Sequence, residues 1–190
     1  MLFRERGGQR LEPRRFRADR LCFALQATGR GWHLRMSPVA ELSLELALEL
    51  AAHLQDPIAV ALDDARHERR LVRATVPLAD VRDELARLRA PLARLGGVGV
   101  TMASGREVLR LTELLEIEIE APTDRWRYLL AAQGAVEVAR VESRVWHPPA
   151  RPWRPHADVR DAVDAAASRL GLQLAAAVAD PVFGATPDAP

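Results

Sequence analysis

Three times between residues 31 and 141 the chain passes from an extended stretch, through a proline, into a helical stretch and back to an extended one. The prolines are Pro38, Pro77 and Pro122, and the next strand begins 20 residues on at Ile58, 21 on at Val98 and 14 on at Val136. A chain written this way must lay helices against a sheet, because each element has only one apolar side to bury. Between residues 31 and 103 the order is β-α-β-β-α-β, the order of a split-βαβ, ferredoxin-like sandwich. The third unit then extends that sheet, and a C-terminal helix follows. The expected class is therefore α+β, made of repeated β-α-β units.

The first helical stretch carries the tension in the pattern. Residues 41–50 read ELSLELALEL, with leucine at every even position. Strict alternation belongs to strands, yet Leu, Glu and Ala are strong helix formers. From Val39 to Leu54 there is no Gly, Pro or other β-branched residue, a run too long for an ordinary strand. With Ser37 as cap and Pro38 in the first turn, a helix over 38–55 is expected. On a helical wheel Leu42, Leu46, Leu50 and Leu54 form one stripe and Leu44 and Leu48 lie further round, so the apolar arc covers about two-thirds of the circumference. Glu41, Glu45 and Glu49 stack on the remaining arc. Most wide apolar arcs are core; the sharper reading has Leu44 and Leu48 meeting a partner beside the glutamate ridge.

The second helical stretch is cleaner. Leu78, Val81, Leu85, Leu88, Leu92 and Leu95 fall at three- and four-residue steps, which predicts a helix over 78–95 with a kink or an ending at Pro91. Strands are expected at 21–27 and 31–36, at 57–62 and 71–76 about a polar tip, either side of Ser104-Gly105, at 117–120 and at 136–141. A short helix is expected from Thr123 to Gly134 and a last one from Asp158 to Leu170.

Charge divides the chain. There is no lysine among the 27 basic residues, a weak pointer to a GC-rich bacterial source. Residues 1–36 hold nine arginines against three acids, whereas residues 37–122 hold ten against fifteen. The expected organisation is a basic arm over 1–20, an α+β domain over 21–179 and a tail over 180–190. A division of the domain into 21–111 and 112–179 is the alternative. One cysteine, Cys22, permits no internal disulfide and suits a reducing cytoplasm. No apolar run reaches the ~20 residues of a membrane span.

Familiar chemistries find little purchase. GGVGV at 96–100 ends a helix and precedes a strand, the reverse of a phosphate loop. DDARHE, from Asp63 to Glu68, lacks a turn glycine and sits among Arg66, Arg69 and Arg70, so a solvated hairpin tip is expected rather than a cation site. The five histidines form no zinc spacing. No cofactor or metal is expected and no catalytic residue stands out, although a small-molecule enzyme or sensor remains the third reading. The most unusual stretch is WHPPARPWRPH, 146–156: either a stiff strap with pinned tryptophans or a contact surface made by Trp146, His147, Arg151, Trp153 and Arg154. The favoured function is non-enzymatic binding of another protein, or of a second copy, through the wide helix face and this strap: a regulator, an assembly component or an inhibitor. The runner-up is nucleic-acid binding by the arm arginines Arg14, Arg15, Arg17 and Arg20 with the strap.

Overall fold

The structure is a computed structural model and describes residues 3–4, 10–11, 21–141 and 153–175. Two short strands, β1 (Phe3–Arg4) and β2 (Arg10–Leu11), pair with each other. The body follows as β3 (Cys22–Thr28), β4 (Gly31–Met36), α1 (Ala40–Ala51), β5 (Ile58–Asp64), β6 (Arg69–Val76), α2 (Leu78–Leu95), β7 (Val98–Ser104), β8 (Glu107–Leu111), β9 (Ile117–Ala121), α3 (Arg125–Ala132), β10 (Val136–Glu137), α4 (Ala157–Leu170) and β11 (Gln173–Leu174). The architecture is α+β, with four helices and a nine-stranded sheet ordered β10-β3-β4-β9-β8-β7-β5-β6-β11.

That order departs from the ferredoxin-like pairing. A split-βαβ sandwich would set β4 between β6 and β7. Instead β4 pairs with β3 and β9, and β5 pairs with β6 and β7. One true split unit survives: β5 lies antiparallel to both β6 and β7, so α2 joins parallel strands across it. α1 likewise joins parallel strands, β4 and β5, but β9, β8 and β7 stand between them. The cause is local. The β7–β8 hairpin and β9 form a meander of close neighbours, and short antiparallel connections win over distant parallel ones.

Alternation along the strands gives the sheet one apolar face. Leu34, Ile119, Leu109, Met102 and Val60 stand in one cross-strand row, and Met36, Ile117, Leu111, Val100, Leu62 and Leu71 in the next. All are buried. Asp64 and Arg69 belong to the same face, and Arg69 bonds Asp164 of α4. α4 packs on α2 and α2 on α1, so the helices form one layer over these rows. The opposite face carries His33, Arg35, Glu118, Glu120 and Arg110, with the ion pairs Arg35–Glu116 and Arg110–Glu118.

α1 is shorter than the expected 38–55. It starts after Val39 with no side-chain cap, and the buried Ser43 hydroxyl donates back to the Val39 carbonyl. Ser37 and Pro38 lie outside the helix as the chain leaves β4. α2 has the expected bounds but runs on for four residues past Pro91. The helix therefore forgoes only the one main-chain bond that proline cannot make.

Arginine closes three of the four helices. Arg66 donates from Nε to the Gly96 carbonyl (3.0 Å) and from Nη2 to the Leu95 carbonyl at the end of α2. Arg73 donates to the Leu170 carbonyl at the end of α4 (2.7 Å), and Arg125 to the His53 carbonyl just beyond α1 (2.9 Å). Carbonyls at a helix C-terminus lack partners and carry partial negative charge. A guanidinium offers a planar fork of donors that satisfies several at once. Gly97 and Gly171 have φ of +80° and +64°, and a Cβ at either would lie 2.6 Å from the capping guanidinium of Arg66 or Arg73. Only glycine meets both demands.

Glu84 ties α2 to α4. It is 3% exposed and bonds Arg169 of α4 (2.7 Å) and Arg87 of its own helix. Burial alone would raise its pKa, but the hydrogen bonds and charges of Arg169 and Arg87 outweigh burial and hold the carboxyl below its ordinary value. A carboxyl depressed in the folded state contributes stability above its unfolded pKa of about 4.3 and loses it as pH falls through the lower folded value. Glu84→Gln should therefore cost about 1–3 kcal/mol at pH 7. The gap in urea midpoint between the two proteins should narrow steadily below about pH 4. A gap equally wide at pH 3 and pH 7 would contradict the ionic reading.

Candidate functional site

Of the residues that the sequence offered as contacts, the fold buries Leu44 and leaves Glu45, Glu49 and Arg154 exposed. Leu44 is 1% exposed and sealed in the core by the chain itself, so this conformation offers it to no partner. Leu48 is half-buried against the same core. The exposed apolar side chains of this region are Val39 and Leu42, at the start of the helix. Glu45 pairs with Arg89 of α2, so a neighbouring helix answers that part of the ridge; Glu49 is exposed. The Glu41 side chain, the arm arginines Arg14, Arg15, Arg17 and Arg20, and Trp146, His147 and Arg151 lie outside the described residues.

Trp153 and Arg154, at the end of the proline-rich stretch, both meet Arg66, and the Arg154 side chain is exposed. The Arg66 guanidinium lies over the Trp153 ring, 4.9 Å from its centroid, and also donates to the Arg154 carbonyl at 2.7 Å. One arginine thus caps α2 and pins the approach to α4. A half-desolvated cation on an indole face is worth about 0.5–2 kcal/mol, so the strap's end is held by the fold.

The polar tip 63–68 also differs from expectation. Asp64 is 1% exposed rather than solvated. Its Oδ2 accepts from Arg69 Nε at 2.9 Å and lies 2.8 Å from His67 Nδ1, while Oδ1 accepts the Arg66 main-chain N–H at 3.2 Å. The turn folds the tip back, with Glu68 at φ 52°, so the carboxylate faces the helices instead of water. Among the described residues no group of His, Cys, Asp and Glu is placed to hold a metal ion.

The unsatisfied part of the molecule is a sheet edge that sequence reasoning did not single out. β10 pairs with β3 in parallel at Val136↔Cys22 and Glu137↔Phe23. Main-chain bonds at its two ends run from Val136 N–H to the Leu21 carbonyl (2.9 Å) and from Val138 N–H to the Phe23 carbonyl (2.8 Å). Among the described residues the pairing ends at Glu137. Odd-numbered residues of β3 therefore point their polar groups outward, and even-numbered ones bond β4. Beyond Phe23, Leu25 and Ala27 present N–H and C=O groups with no partner among the described residues. Gln26, Ala27 and Thr28 are exposed.

Proteins usually blunt such an edge with charge, proline or a bulge. The opposite edge is blunted in this way: β6 carries Arg69, Arg70 and Arg73, its register with β5 shifts between Ile58 and Val60, and β11 covers Leu71 and Val72. β3, reading CFALQAT, has no charge and no proline, and its register with β4 is unbroken from Phe23 to Thr28. Comparison with protein-family models, with curated proteins and with solved structures found no match to this chain.

Proposed function

We propose that the chain is a non-enzymatic protein-binding module that takes an extended segment of its partner along the outer edge of β3. The observation that carries this reading is the uncharged edge from Leu25 to Thr28, which has no outer strand partner among the described residues. Strand addition draws affinity from main-chain bonds and selectivity from alternate side-chain positions. The edge supplies both kinds of contact: outward polar groups at Leu25 and Ala27, and Gln26 and Thr28 beside them. α1 contributes by covering the sheet rather than by offering Leu44. The single cysteine fits work in a reducing, cytoplasmic setting.

Panning the full chain against displayed random peptides tests the reading. Binders should lose the protein when Ala27→Pro removes the outward N–H, a change an edge strand tolerates. They should keep it when Tyr128, 63% exposed on α3, becomes alanine. Binders indifferent to Ala27→Pro would overturn the assignment of the edge.

A further inference from the structure

Resting on that reading of the edge, we propose that the chain carries its own competitor for it: residues 138–141 form a latch that extends β10 along β3 and covers Leu25 and Ala27, so that a partner strand binds by displacing it. The register of β10 dictates where the latch falls. Val136 stands opposite Cys22 and Glu137 opposite Phe23, in parallel. Continued without a shift, the pairing sets Val138 opposite Ala24, Ala139 opposite Leu25, Arg140 opposite Gln26 and Val141 opposite Ala27.

The polar groups match along this line. In a parallel ladder the bonds are evenly spaced, and alternate residues of each strand carry them. In β10 these are the even-numbered residues, since Val136 and Val138 donate to the Leu21 and Phe23 carbonyls. The next rungs run from the Leu25 N–H to the Val138 carbonyl, from the Arg140 N–H to the Leu25 carbonyl and from the Ala27 N–H to the Arg140 carbonyl. Every one of these groups lacks a main-chain partner among the described residues. Two rows of unpaired groups therefore lie in continuing register, one on the edge and one on the segment that leaves it.

The latch starts from a fixed point. Glu137 bonds Arg127 of α3 at 2.7 Å, and the Val138 N–H is held by Phe23. A tether this short keeps the segment at the edge at an effective concentration on the order of millimolar. The chain bends at Ala139, and Ala139 and Arg140 are exposed, so little packing opposes closure. Val138 and Val141 are strand formers, whereas alanine is depleted in strands. Ala139 thus keeps the closed form from dominating and leaves the edge within reach of a partner.

Two cysteine pairs in a Cys22→Ala background of the full chain test closure. Gln26→Cys with Arg140→Cys places both thiols on one face, and opposite residues of neighbouring strands lie about 4.8 Å apart, within disulfide range. Gln26→Cys with Ala139→Cys puts them on opposite faces. Under mild oxidation the first pair should close about tenfold faster than the second. Panned peptides that depend on Ala27 should bind the locked chain at least about tenfold more weakly and recover on reduction. Ala139→Ile, a better strand former, should weaken the same peptides about threefold. Arg140→Pro, which removes the N–H that the Leu25 carbonyl would accept, should bind them at least as well as wild type. Equal closure of the two pairs, or Arg140→Pro weakening the peptides as much as Ala139→Ile does, would overturn the latch and leave the edge reading standing. In-register closure that leaves peptide binding intact would overturn the edge as their site, and the competition with it.

Discussion

Replacing Asp64 with alanine should destabilise the protein by about 3–5 kcal/mol, a large share of the 5–15 kcal/mol typical of a folded chain. The carboxylate is buried and fully engaged by Arg69, His67 and the Arg66 main chain. Its removal leaves the Arg69 guanidinium, only 18% exposed, with Asp164 alone to answer it. That strips support from the contact between β6 and α4. Two companion variants separate charge from shape. Asp64→Asn keeps an acceptor and should fall between wild type and alanine. Changing Asp64 to leucine and Arg69 to methionine together should recover much of the loss, since an apolar pair avoids the cost of a lone buried charge. Urea denaturation of the four proteins measures all of this. A double variant as unstable as Asp64→Ala would refute the ionic explanation.

The second large effect is expected at Trp126, 1% exposed at the start of α3. Its ring meets His53 edge-on with centroids 6.1 Å apart, and the Arg125 guanidinium lies 4.9 Å from its centroid. Arg125 in turn bonds Glu107 and the His53 carbonyl, so this corner locks α3 to the end of α1 and to the β7–β8 hairpin. Trp126→Ala should cost about 3–5 kcal/mol through lost burial and the cavity left behind. Trp126→Phe should cost less than alanine, because the phenyl ring leaves a smaller cavity and the indole Nε1 is buried with no partner among the described residues. Equal losses for alanine and phenylalanine, read as shifts in thermal midpoint, would contradict this account of the ring's packing.

Periodicity told most of the secondary structure. The three- and four-residue steps from Leu78 to Leu95 fixed α2 at both ends, and the alternation of Ile117 and Ile119 marked β9. Strand order was not legible, because a β-α-β-β-α-β sequence is compatible with several pairings and the choice depends on distant contacts such as β4 with β9. The β3 edge was hidden for the same reason: whether a strand is central or terminal is a property of the sheet. Two local signs pointed to it nonetheless. CFALQAT is free of charge and proline, and VEVARV, written as a strand of six residues, pairs over only two. The roles of the arginines were equally obscure. A sequence does not say that Arg66 will meet Gly96, 30 positions away, or that Asp64 will turn inward.

The arginine clamps and the bare edge belong together. Arg66, Arg69, Arg73 and Arg169 fasten α2 and α4 over one half of the sheet and tie β6 to α4 at that border. At the other border, among the described residues, β3 pairs beyond β4 with two residues of β10. Amide hydrogen exchange at Leu25 and Ala27 tests this claim most directly. In dilute protein both amides should exchange at rates near those of open strand edges while Ala24 and Gln26, bonded to β4, stay protected, and both should slow when an edge-binding peptide is added. Strong protection of Leu25 and Ala27 in the dilute, unbound protein would contradict the account.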